Sequence, residues 1–137
     1  MKRDMELVRK LLLHIEQEYT YQPLDSRHIE IDGYSKEHIA YHLKIMDDGG
    51  LIDVQNSTVM VGNIHRFVID GITWNGHEFL DSVRNDGVWS HTKESLKPVG
   101  SASFEVVKSI AVAYIGSKSS ERSGRQFLHC LRKGGPL

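Results

Sequence analysis

The 137-residue sequence holds a single cysteine, Cys130, so no disulfide can close within it. One thiol also falls short of the common structural zinc sets, which use two or more. No apolar run reaches the roughly 20 residues that a membrane-spanning helix needs. The opening Met1-Lys2-Arg3-Asp4-Met5-Glu6 sets charges where a signal peptide needs an apolar core. A cytoplasmic protein without membrane contact is therefore expected. No Ser-His-Asp motif, phosphate loop or dinucleotide fingerprint is present. Scattered Asp and Glu do not make a catalytic pair. The expectation is a non-enzymatic protein with no catalytic residue, metal ligand or cofactor.

A strong charge excess is missing too, since 17 Lys and Arg meet 18 Asp and Glu. The distribution is uneven. Residues 1–116 carry 12 bases and 17 acids, an excess of five acids. Residues 117–137 carry Lys118, Arg122, Arg125, Arg132 and Lys133 against Glu121 alone. An acidic domain is a poor start for phosphate binding, which draws most of its affinity from Lys and Arg.

What is present suffices for one folded domain, with 39% hydrophobic and 26% charged residues. The stretch from Tyr34 to Ile52 organises it. Ser35 is placed to cap a helix, because its hydroxyl can accept an unpaired first-turn N–H. Ile39, Leu43 and Met46 follow at helical spacing. Gly49 and Gly50 stop the helix, one of them in the left-handed conformation. Leu51 and Ile52 resume as a strand. The run His42-Leu43-Lys44 to Gly50-Leu51-Ile52 resembles the end of a winged helix-turn-helix, where the recognition helix joins the first wing strand.

Ahead of it, Met5, Val8, Leu11, Leu12 and Ile15 predict a first helix over about 2–19. Pro23 turns the chain, and the alternation over His28–Ile31 predicts a short strand. That leaves little room for the middle helix of a common helix-turn-helix. Behind it, residues 51–55 read as a strand. Asn56-Ser57 and Gly62-Asn63 signal turns, with strands over 58–61 and 64–70, and Gly71 closes this wing. Thr73 caps a helix over about 74–85, with Phe79, Leu80 and Val83 inward. Gly76 inside that helix implies a close neighbour. Residues 86–101 read as irregular. A last helix spans about 103–115, capped by Ser103, with Phe104, Val107, Ala111 and Tyr114 on one face. Residues 117–124 read as a flexible linker, and 126–132 as a short helical turn. The fold class is α+β: a winged helix-turn-helix-like domain over 1–116 with a β-wing and further C-terminal helices. A basic flexible tail over 117–137 follows it.

Three motifs in order support a family resemblance. They are the opening Met1–Leu13, the middle Tyr41–Ile52, and Ile72-Thr73-Trp74-Asn75-Gly76-His77-Glu78-Phe79-Leu80-Asp81-Ser82-Val83-Arg84-Asn85-Asp86. Together they resemble the small bacterial and prophage proteins of domain of unknown function family 2513, over roughly residues 1–115. The resemblance implies a winged-helix-like fold, frequent phage or mobile-element origin, and no assigned catalytic residue.

Two surfaces are candidates for binding. With its apolar stripe inward, the organising helix turns Glu37, His38, Tyr41, Lys44 and Asp48 outward. His38, Tyr41 and Lys44 can meet phosphates or base edges, and Lys36 flanks them. In the wing, Asn63, His65 and Arg66 can reach a neighbouring groove. The expected partner is double-stranded DNA, bound by a regulator expected to act as a homodimer. The competing expectation is a host or phage protein bound by the same scaffold, since an edge strand can pair with another chain. His38 and His42 share a helix face, but no Glu follows His38 as a zinc-protease helix requires, and His42 reads as packed beside the core. Trp74, Phe79 and Trp89 read as core or cover rather than a base-stacking platform.

Overall fold

The computed structural model describes residues 1–55, 59–61, 64–98 and 103–117. It is a mixed α+β fold that divides into two compact units, Met1–Arg84 and Asn85–Leu137.

The first unit begins with α1 (Met5–Glu18), whose N-cap Asp4 accepts the Glu6 N–H at 2.9 Å. Leu7, Val8, Leu11, Leu12 and Ile15 are buried on one face, against α2, α3 and β5. Strand β1 is short, Leu24–Asp25, and a 3-10 turn over Ser26–His28 follows directly. The strand expected over 28–31 does not form. Asp25 caps the turn by accepting the Arg27 N–H at 3.0 Å, and Leu24–Asp25 already hold the place beside β5. Ile29 is buried without a strand partner.

Helix α2 (Lys36–Asp48) forms as its sequence dictates. Ser35 Oγ accepts the His38 N–H, and Ile39, His42, Leu43 and Met46 are buried. Gly50, at φ +74, takes the left-handed conformation, and the Leu51 N–H returns to Met46 O at 2.8 Å. Strands β2 (Ile52–Val54), β3 (Val59–Val61), β4 (Ile64–Arg66) and β5 (Val68–Ile72) come next. The order β1-β5-β2 makes an antiparallel sheet, and β3 and β4 form a separate hairpin between β2 and β5 in the chain.

The run expected as one strand over 64–70 breaks at Phe67. There the backbone leaves the hairpin to exchange bonds with the 3-10 turn. Phe67 N–H donates to Ser26 Oγ and Ser26 N–H to Phe67 O, each at 2.9 Å. Gly71, expected to close a wing, lies inside β5. The register passes from Asp53↔Gly71 to Val54↔Ile69, leaving Asp70 as the extra residue of a bulge. Gly71 has φ +134, and a Cβ there would lie 3.4 Å from the Tyr19 ring.

Helix α3 (Trp74–Val83) is capped by Thr73, and Phe79, Leu80 and Val83 are fully buried. The close neighbour implied by Gly76 is the carbonyl of Leu51, 2.0 Å from where a Cβ would stand. Arg9 is buried and closes the far end of α3: its Nε donates to Val83 O at 2.7 Å and its Nη2 to Arg84 O at 2.8 Å. Cations suit the carbonyl end of a helix.

The second unit holds a helix where irregular chain was expected. Helix α4 spans Asp86–Leu96, with Asn85 accepting from the N–H groups of Gly87 and Val88. Asp86-Gly87, expected to open irregular chain, forms the first turn of this helix, and Asn85, expected to end the preceding helix, is its cap. Val88, Trp89 and Thr92 are its buried face. Residues 104–117 form α5, burying Val107 and Ala111, and Tyr114 stacks on His91 at 4.1 Å between ring centroids. The turns expected at 56–57 and 62–63, and most of the linker and tail expected over 117–137, lie outside the described residues. Ser117 is helical.

Candidate functional site

The side of α2 that is not core meets the β3–β4 hairpin, and a groove runs between them in two lobes. The first, about 200 Å³, is lined by Ser26, Arg27, Lys36, Ile39, Ala40, His65 and Arg66. The second, about 300 Å³, is lined by Met1, Glu37, Ala40, Tyr41, Lys44, His65 and Phe67. Ala40 and His65 belong to both. The chain builds this groove by placing a small residue, Ala40, on the helix face opposite β4. Five of the seven residues expected to bind nucleic acid converge here: Lys36, Tyr41, Lys44, His65 and Arg66. His38 does not line it. It is exposed at the start of α2, its Nδ1 2.8 Å from Ser35 Oγ. Asn63 lies outside the described residues.

The cations of the groove are not equivalent. Lys36 Nζ donates to Arg27 O at 3.1 Å and Ile29 O at 2.8 Å, which locks the 3-10 turn to α2. Arg66 donates from Nε and Nη2 to Asp25 Oδ2 at 2.9 and 2.7 Å. Arg27 grips the same carboxylate, with Nη2 2.8 Å from Oδ2. Hydrogen bonds from Arg27, then Arg66, hold the Asp25 carboxyl far below the usual carboxylate range. Lys44 is exposed, and no described residue pairs with it. Acids flank it on the same helix, where Glu37, Asp47 and Asp48 are exposed. Partial desolvation of its carboxyl, with Asp48 and Asp53 nearby, raises the Asp47 pKa. Arg27 and Asp25 were not singled out from the sequence. An Asp two residues before an Arg, after a proline-turned segment, is the only local signal they carry.

Behind the groove, His42 is fully buried. Its Nδ1 donates to His38 O at 2.8 Å, and its Nε2 accepts the Asp4 N–H at 2.8 Å. Burial lowers its pKa, and this bonding pattern requires the neutral ring. Tyr34 Oη donates to the other end of the Asp4 side chain at 2.9 Å. Burial and that carboxylate push the Tyr34 pKa up to about 12. Together these bonds pin the start of α1 to α2. Of the aromatics, Phe79 and Trp89 are buried, whereas Trp74 is 79% exposed. Among the described residues, no three His, Cys, Asp or Glu side chains converge as a metal site would need, and no helix is long and apolar enough to cross a membrane.

The family model described as "Hypothetical protein (DUF2513)" matches residues 2–103. An uncharacterised protein of Haemophilus influenzae is 30% identical over 116 residues, covering 84% of this chain and 96% of that protein. No solved structure matches. The family match ends before residues 104–115, which the motif resemblance had included. The three motifs of residues 1–13, 41–52 and 72–86 all fall within or overlap the matched segment, and the chain belongs to the family of domain of unknown function 2513.

Proposed function

We propose that this chain is a non-enzymatic, winged-helix-like protein of phage or mobile-element origin that binds duplex DNA through the groove between α2 and β4. The observation that carries the proposal is the convergence of Lys36, Tyr41, Lys44, His65 and Arg66 on that groove. The topology supports it. A helix leads into a strand, a hairpin follows beside that helix, and the sheet order is β1-β5-β2. In this reading α2 is the recognition helix and β3–β4 the wing, with the 3-10 turn standing where a middle helix is common. The mobile-element origin rests on the motif resemblance alone.

Binding is weak and strongly salt-dependent in this reading, because Lys36 and Arg66 already serve internal partners and residues 1–116 carry five more acids than bases. Random duplex, titrated at low and moderate salt against wild type and Lys44→Ala, tests it. Loss of that contact should lower affinity and flatten the slope of log affinity against log salt by about one. Unchanged affinity and slope would place the contact outside the groove.

A second reading is a protein-interaction module on the same scaffold. The exposed Glu37, Asp47 and Asp48 on α2 favour it, as does the apolar floor of Ile39, Ala40 and Phe67. A pull-down from host lysate with and without nuclease separates the two. A partner retained after nuclease, with no duplex binding at any salt, supports the second.

A further inference from the structure

The Asp25 carboxylate is oversubscribed. Its Oδ1 lies 3.0 Å from the Arg27 backbone nitrogen and 3.2 Å from Arg27 Nε. Its Oδ2 lies 3.2 and 2.8 Å from Arg27 Nε and Nη2, and 2.9 and 2.7 Å from Arg66 Nε and Nη2. Five donors therefore share two oxygens, which offer about four lone-pair sites. Each guanidinium has five N–H groups, so most of their donors are not consumed by Asp25. Both side chains also line the first lobe of the groove, beside Lys36. Arg27 is half exposed and Arg66 one-third exposed, whereas Asp25 is largely covered. Three cations thus border one small cleft, and the carboxylate gripped by the two guanidiniums, Asp25, lies on the adjoining strand, next in the chain to the lining residue Ser26.

We propose that Arg27 and Arg66 form a subsite for one phosphate group, with Asp25 as the internal counter-anion that holds the subsite in its unliganded state. The inference deepens the DNA reading and rests on it for the source of the phosphate. Guanidinium forks match phosphate oxygens two at a time, and Lys36 adds a point charge. A phosphate entering the lobe competes with Asp25 for the same donors. Because Arg27 lies on the 3-10 turn and Arg66 on the hairpin, the competition also links phosphate binding to how firmly the hairpin is tied down.

The test uses the full chain, with the Nε–Hε signals of Arg27 and Arg66 followed by NMR during titration with inorganic phosphate at low ionic strength. Both signals should shift saturably. Asp25→Asn should tighten binding roughly tenfold, as expected for removing one like charge a few ångströms from the ligand. Glu78→Gln, the same change of charge at an exposed site on α3, should leave it unchanged. Arg66→Gln, which keeps the Asp25–Arg27 pair, should abolish saturation, and it serves as the deciding variant if Asp25→Asn does not fold. A folded Asp25→Asn that binds phosphate no tighter than wild type would overturn the proposal, as would saturable binding that survives Arg66→Gln. A parallel titration with short duplex distinguishes the source. Tighter duplex binding by Asp25→Asn supports a backbone phosphate as ligand. Tighter binding of inorganic phosphate alone supports the subsite with a free phosphate as its ligand and counts against the DNA reading.

Discussion

Gly76→Ala sets two opposing effects against each other. Gly76 lies in the first turn of α3, and alanine there would gain up to about 1 kcal/mol from helix propensity. Against this, the new Cβ would stand 2.0 Å from Leu51 O and 2.5 Å from Ile72 Cγ2. The first neighbour is backbone, so no rotamer change relieves it. Real Cβ contacts stay beyond 3.0 Å, so the start of α3 must move away from Leu51 by about 1 Å. That movement strains the Thr73 N–H bond to Leu51 O, now 3.1 Å, and the Thr73 hydroxyl bond to Gly50 O. Overpacking costs typically about 1–3 kcal/mol and a lost hydrogen bond about 1 kcal/mol. The clash outweighs propensity, for a net loss of about 1–3 kcal/mol. Urea denaturation followed by circular dichroism should show the midpoint falling by about 0.5–1.5 M. Gly116→Ala is the control, since nothing lies within 4 Å of its Cβ, and it should be neutral or slightly stabilising. A Gly76→Ala midpoint equal to or above wild type would refute the packing argument.

Leu43→Ala should cost about 2–5 kcal/mol in urea unfolding, because Leu43 is fully buried at the centre of the α2 stripe. Arg9→Met keeps an aliphatic stem but strips Val83 O and Arg84 O of their donors, and should cost about 2–3 kcal/mol by the same assay. His42 makes stability depend on pH. Its folded pKa lies below the unfolded value of 6.5, so its contribution is complete above pH 6.5 and is lost as pH falls toward the folded pKa. The urea midpoint should therefore drop between pH 7.5 and 5.5 in wild type, and drop less in His42→Gln. Equal drops would remove His42 from the account.

The parts of the fold legible in the sequence are those where local chemistry and burial agree. Ser35, the Ile39-Leu43-Met46 stripe and Gly50 each specify α2 by themselves, and the structure reproduces all three. The errors lie where a long-range partner decides. His28–Ile31 alternates like a strand, but Leu24–Asp25 take the place beside β5 and the Asp25 cap folds the next residues into a turn. Ile64–Asp70 reads as one strand, and only Ser26, 41 residues away from Phe67, breaks it there. Helix α4 was hidden by Asp86-Gly87, a turn pair that Asn85 converts into a first turn. In the groove, residue type and helical phase were enough to choose Tyr41 and Lys44. They could not show that Arg66 is claimed by Asp25, or that Arg27 shares the cleft, because both depend on the hairpin folding back toward the 3-10 turn.

The most direct measurement is amide chemical-shift mapping of the full chain with a short random duplex at low salt. The account predicts the largest perturbations along residues 36–44 and 65–67, fading together as salt is raised. Perturbations confined to 118–137, or to the exposed aromatics Tyr21 and Trp74, would contradict the assignment of the α2–β4 groove as the nucleic-acid interface.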